Sequence, residues 1–157
     1  MTVVLLFFYF LSFPPPLVAA DGWSFLAHTG LHYRYFSSRK SWTDAQCSCR
    51  ASAPADYTGE LASVRDSTAN SFVANLPGGV TRAWLGGYQR NGAANGAAWS
   101  WSDGSAWGYE SWASGEPNND NGDEHYLEVN FETKRSWNDM PIDGATYVEG
   151  YICQYKG

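Results

Sequence analysis

Apolar positions along the chain fall into short patterned stretches separated by polar, glycine-rich ones. Residues 31–36, Leu-His-Tyr-Arg-Tyr-Phe, alternate and are rich in aromatics, the period of a half-buried strand. Over residues 40–50 the period changes. Trp42, Ala45 and Cys49 stand at i, i+3 and i+7, which puts them on one helical face, and Ser41 is the predicted N-cap. A second helical stretch covers residues 67–76 and is closed by Pro77-Gly78-Gly79. Beyond it, short strands are predicted at residues 83–88, 99–101, 126–131 and 150–154, alternating with long Gly, Asn, Asp and Ser loops. Two helices followed by a loop-dominated sheet make an α+β fold. Loops of such length in a compact domain usually carry function, so residues 102–121 are where chemistry is expected.

Residues 1–20 contain no Asp, Glu, Lys or Arg. Their apolar run is too short to span a bilayer, Pro14-Pro15-Pro16 would break a spanning helix, and Val18-Ala19-Ala20 suits a small-residue cleavage site. This reads as a signal peptide over 1–20 ahead of a single domain over 21–157, and hence as a secreted chain. Secretion gives the three cysteines meaning, because disulfides persist in oxidising compartments. Cys49 shares the inward helical face with Trp42 and Ala45, whereas Cys47 points roughly 200° away. Cys49 is therefore paired with Cys153. Cys47 is left as an exposed thiol, either free or linking two chains into a disulfide-bonded homodimer.

Composition narrows the partners. Sixteen acidic against ten basic residues give a net charge of −6. With no Lys/Arg stripe, the chain lacks the electrostatic footprint of a nucleic-acid binder, an anionic membrane surface would repel it, and no later segment resembles a membrane span. Two polar clusters stand out: Glu116-Pro117-Asn118-Asn119-Asp120-Asn121-Gly122-Asp123-Glu124 and Trp137-Asn138-Asp139. Carboxylates and carboxamides are hard oxygen donors suited to calcium, which takes about six to eight of them in flexible geometry. An Asn beside Asp or Glu lowers the charge of such a site and offers an NH₂ donor to a ligand hydroxyl. His28, His32 and His125 have no spacing that suggests a metal pair or a nucleophile's base.

The chain resembles the C-type lectin-like domain family from about Trp23 to Tyr155. The matching pieces, in order, are Trp42-x-x-Ala45-x-x-x-Cys49, Gly59-Glu60-Leu61-Ala62-Ser63-Val64, Trp84-Leu85-Gly86-Gly87, Trp99-Ser100-Trp101-Ser102-Asp103-Gly104, Trp112-x-x-Gly115-Glu116-Pro117-Asn118, Trp137-Asn138-Asp139 and Ile152-Cys153. The resemblance implies a short-form domain with two helices flanking small antiparallel sheets and a long calcium-binding loop region. It also implies a calcium site built from Glu116, Asn118, Glu124, Asn138 and Asp139, the same five residues contacting the sugar, and a cis Glu116-Pro117 bond. In the family, Glu-Pro-Asn goes with equatorial 3- and 4-hydroxyls, as in mannose, glucose and N-acetylglucosamine. The function so implied is calcium-dependent recognition of glycans, with microbial glucan, mannan or peptidoglycan as the expected targets.

Departures from the family pattern matter too. Most members have a second disulfide, and the positions where its cysteines should fall, near Tyr126 and Ile142, hold none. The ligand loop is therefore expected to be looser without calcium. A second calcium site in some members uses acidic residues where this chain has Asn119 and His125, so that site is not expected. Trp84, Trp101, Trp112 and Trp137 fall on core positions, while Trp107 and Tyr109, inside the long loop, are candidates to stack on a pyranose ring. Two other function classes remain. One is a domain of this fold with a protein or lipid partner. The other is a glycosidase using two of Glu116, Glu124 and Asp139, against which the polar loop predicts ionised carboxylates rather than a raised acid, and no G-x-S-x-G or H-E-x-x-H occurs.

Overall fold

The structure is a computed structural model that describes residues 21–90 and 98–157; the expected signal peptide at 1–20 lies outside them. In chain order the elements are β1 (Ser24–Leu26), β2 (Leu31–Phe36), α1 (Trp42–Ser52), β3 (Glu60–Leu61), α2 (Ser67–Asn75), β4 (Ala83–Gln89), β5 (Trp99–Trp101), β6 (Tyr126–Val129), β7 (Trp137–Met140) and β8 (Gly150–Lys156). The strands join into one eight-stranded sheet ordered β1-β2-β8-β4-β6-β7, with β3 added to β8 and β5 to β4. The α+β fold expected above, two helices with antiparallel strand pairs, is borne out, and among the described strands only β4 and β8 pair in parallel. β8 pairs antiparallel with β2 and parallel with β4, and so fuses the N-terminal hairpin to the ligand-loop half. Among the described residues no helix is long and apolar enough to cross a membrane.

Helix α1 starts where its cap predicts, with the Ser41 hydroxyl accepting from the Asp44 amide at 3.1 Å. It buries Trp42, Ala45, Gln46 and Cys49. Cys49 is bonded to Cys153 on β8, tying together positions 104 residues apart, and Cys47 stays free and exposed. The disulfide lies within the chain, so the structure gives the expected Cys47-linked dimer no support. Gln46 accepts from the Leu61 amide at 2.8 Å, which holds β3 against the helix. That approach is close: a Cβ on Gly59 would lie 2.1 Å from the Cys49 carbonyl oxygen, so only glycine fits there.

Asp66 caps α2 by accepting from the Ala69 amide at 2.9 Å, and the helix buries Ala69, Asn70, Val73 and Ala74. Asn70 reaches across the core, accepting from the Trp137 indole at 2.9 Å and donating to the Arg135 carbonyl at 3.0 Å. Strand β6 ends at Val129 rather than at 131, for a local reason. Asn130 turns to a φ of 67°, donates to the carbonyls of Ala74 and Thr81 at 3.0 Å each, and accepts from the Arg135 amide at 2.8 Å. These bonds satisfy a buried side chain at the cost of one ladder position.

Candidate functional site

The long loop before β6 is held by β7. Backbone bonds run from Ala113 to the Trp137 carbonyl (2.9 Å) and from Trp137 to the Ser111 carbonyl (2.8 Å). Fully buried Trp137 anchors the aromatic side, with Trp101, Trp107 and Trp112 each at 5.8 Å and Tyr109 at 5.6 Å between ring centroids. Trp107 also lies 4.7 Å from Trp101 and donates its indole N–H to Glu110 at 2.8 Å. Trp107 and Tyr109 thus pack on the core and do not line the groove that holds the carboxylates. Both rings, named above as candidates to stack on a sugar, sit half-buried in this aromatic cluster, Trp107 beside Trp99, Trp101, Trp112 and Trp137 and Tyr109 beside Trp137.

Further along the loop, the Glu116–Pro117 bond is cis, as the family resemblance implied. Asp139, buried on β7, grips the segment that follows, its two carboxylate oxygens accepting from the amides of Asn118 (3.1 Å) and Asn119 (2.9 Å). Glu116 accepts from the Asn118 amide at 3.0 Å and side chain at 2.9 Å. Glu124 accepts from the Asp120 amide at 2.9 Å, while its own amide donates to the Asn119 side-chain oxygen at 2.9 Å. Asn119 is thereby spent inside the loop, in a left-handed conformation that Asn tolerates. His125 sits with its Nδ1 3.1 Å from Gln89.

On β7, Asn138 donates its amide nitrogen to Glu128 at 3.0 Å, leaving the amide oxygen as the group available to the groove. Glu128 on β6 is fully buried and clamped by Arg82, whose Nε is 2.7 Å away and whose Nη2 takes the other carboxylate oxygen. Together these elements line a groove of about 660 Å³ that includes Glu116, Asn118, Glu124 and Asn138, with Asp139 beneath the loop. Arg82, Phe131 and Tyr147 extend it.

Electrostatically the groove is unbalanced. Glu116 is pushed above the usual carboxylate range by burial and by hydrogen-bonding and charge contact with Asp139. Glu124 is pushed up to about 7, by burial first and then by Asp139, Asp120 and Glu116, the Asp120 amide opposing. Burial is the first cause for both groups, and the neighbouring carboxylates add to it. Among the described residues no three Asp, Glu, His or Cys side chains form a group that could hold a metal by themselves. The donors are a mixture of carboxylates and carboxamides, the hard-oxygen chemistry that fits calcium rather than a transition metal.

Residues 38–155 match the Lectin C-type domain. The chain belongs to the C-type lectin domain family. This lectin domain is 31% identical over 138 residues to the lectin of Pleurodeles waltl, covering 85% of this chain and 74% of that protein. Among solved structures it is similar to the C-type lectin CEL-I from Cucumaria echinata, at 25% identity and a TM-score of 0.72, covering 88% of this chain and 97% of the other. It is also similar to a Ca2+-dependent type II antifreeze protein in its Ca2+-free form, at 26% identity and a TM-score of 0.70, covering 87% and 98%. Arg82 and Tyr147, which line the groove of this domain, and Glu128, buried behind it, were not picked out by the sequence reading. The only sequence signal for the buried pair was a Glu inside an otherwise apolar strand, Tyr126-Leu127-Glu128-Val129.

Proposed function

We propose that this chain is a secreted, calcium-dependent sugar-binding lectin of the mannose/glucose type that recognises microbial surface glycans. The observation that carries the reading is the meeting of the Glu116-Pro117-Asn118 segment, Glu124 and the Asn138-Asp139 pair around one groove whose carboxylates lack a counter-charge. The residues that would hold the ion are Glu116, Asn118, Glu124, Asn138 and Asp139. Calcium, when bound, supplies the missing positive charge and coordination positions that sugar hydroxyls can fill. Glu116 and Glu124 accept hydrogen bonds from those hydroxyls, and the Asn118 amide donates one, so that the paired groups read hydroxyl geometry. Asp139 positions the Asn118 segment, and Glu128 orients Asn138. The mannose-type preference follows from the Glu-Pro-Asn order, and secretion from the signal peptide read at residues 1–20. Similarity to a protein described as Ca2+-dependent supports the use of calcium.

The test is binding of the domain over 21–157 to immobilised mannan in calcium and in EDTA, with free mannose and galactose as competitors and a Glu116→Gln/Asn118→Asp variant alongside. Binding that needs calcium, is released by mannose, and shifts toward galactose in the variant is expected. Binding that persists in EDTA, or is absent throughout, overturns the reading and favours a protein or lipid partner.

A further inference from the structure

The groove does not end at the ion-type donors. It runs on past Asn138 to Arg82, Phe131 and the loop after β7, where Tyr147 stands 61% exposed. At about 660 Å³ its volume falls within the roughly 300–1,000 Å³ of pockets that take drug-sized molecules, more room than one hexose requires. We propose that Tyr147 is the floor of a second sugar subsite, on which the next pyranose of an oligosaccharide stacks while its terminal residue occupies the Glu116 and Asn118 end. This rests on the calcium-lectin reading above and extends it from a monosaccharide to a chain.

The geometry of Tyr147 is what makes it a platform. Its ring lies 5.7 Å from the Arg82 guanidinium carbon, which also sits 5.1 Å from the Phe131 ring. Arg82 is in turn fixed by the buried Glu128, and Glu128 receives the Asn138 amide. A continuous set of contacts therefore runs from the terminal-sugar end to the tyrosine, with the Arg82 guanidinium against its ring. Arg82 occupies one side of the ring and leaves the rest open to the C–H face of a pyranose. Asp143 and Thr146, on the same loop and in the same groove, are at hand for its hydroxyls.

Charge selects the class of glycan. The groove gathers Glu116, Asp120, Asp123, Glu124 and Asp143, while Arg82, the one Lys or Arg lining it among the described residues, is already neutralised by Glu128. A divalent ion does not offset five carboxylates, so uronates, sialic acids and sulfated sugars are repelled and neutral hexose chains are taken.

Calorimetric titration in calcium tests this, comparing methyl α-mannoside with a panel of mannobioses, mannotrioses and short glucans on the wild type, Tyr147→Ala and Tyr147→Phe. At least one oligosaccharide is expected to bind the wild type about 3- to 10-fold more tightly than the methyl glycoside. Tyr147→Ala is expected to abolish that advantage and Tyr147→Phe to keep it, with methyl mannoside affinity unchanged in both. Equal affinity for every panel member and the monosaccharide, an advantage that survives Tyr147→Ala, or an equal loss for both ligand types overturns the subsite alone. A wild type that binds none of the sugars in calcium overturns the calcium-lectin reading and the subsite with it.

Discussion

Replacing Arg82 by Met isolates the ion pair beneath the groove. Glu128 is fully buried, and its carboxylate is held by two guanidinium nitrogens and the Asn138 amide. Removing the guanidinium leaves a buried carboxylate with one neutral donor, and breaking a buried pair from one side costs about 3–5 kcal/mol. The Arg82 side chain is 23% exposed, so water can partly replace it and the lower figure of about 3 kcal/mol is expected. A loss of that size is a large share of the stability of a domain this small, about 5–15 kcal/mol. Adding Glu128→Gln removes the orphaned charge and keeps an acceptor for Asn138, so the double variant should recover to within about 1 kcal/mol of the wild type. Urea unfolding in EDTA, followed by tryptophan fluorescence, measures both. Sugar binding in calcium adds a second readout: the single variant loses affinity as Asn138 loses its fixed partner, and the double variant regains it. A single variant within about 0.5 kcal/mol of the wild type, or a double variant as unstable as the single, refutes the buried pair as the support of the site.

Two further outcomes are expected. Glu124, with a pKa raised from 4.5 to about 7, holds a proton in the calcium-free folded chain that the unfolded chain has already released, so between those values its contribution to stability falls as pH rises. Calcium needs the carboxylate form, so the rise in Tm that calcium gives should be larger at pH 8 than at pH 5.5; thermal melts with calcium and with EDTA check this, and an equal rise at both refutes it. Trp107→Ala should lower stability by about 2–3 kcal/mol, below the figure for a fully buried tryptophan because the ring is half-buried, and leave mannoside affinity per folded molecule unchanged. A loss of sugar affinity at unchanged stability would restore Trp107 to the ligand face.

Local patterns carried the helices and the covalent tie. The spacing of Trp42, Ala45 and Cys49 placed three side chains on one face, and that face meets β8 through the Cys49–Cys153 bond. The two polar runs that carry Glu116, Asn118, Asn138 and Asp139 stood out in the chain, but only the family resemblance joined them into one site, since they meet through the fold. The packing of Trp107 and Tyr109 was not legible, because a Gly- and Ser-rich loop implies exposure, whereas burial there comes from Trp137, about thirty residues on. The dense run of Trp99, Trp101, Trp107 and Trp112 was the available sign that the loop brings its own small core. The pairing of Arg82 with Glu128 was out of reach because a single charge beside or within a short strand does not reveal a partner 46 residues away.

The missing second disulfide shows how packing replaces a covalent tie. The two positions without cysteine, Tyr126 and Ile142, lie at the two ends of the ligand-bearing region, and both meet Trp42. The Tyr126 ring lies 5.0 Å from the Trp42 ring, and the Trp42 amide donates to the Ile142 carbonyl at 2.9 Å. Trp42 also donates its indole N–H to the Leu85 carbonyl at 2.8 Å, so its ring is fixed to β4. The first turn of α1 therefore reaches both ends of the segment that a disulfide would have closed. A disulfide constrains the unfolded chain, whereas these contacts exist only in the folded one. The loop consequently depends on the folded core of α1 and β4 for its closure, and on the Asp139 carboxylate for the shape of its Asn118-Asn119 segment.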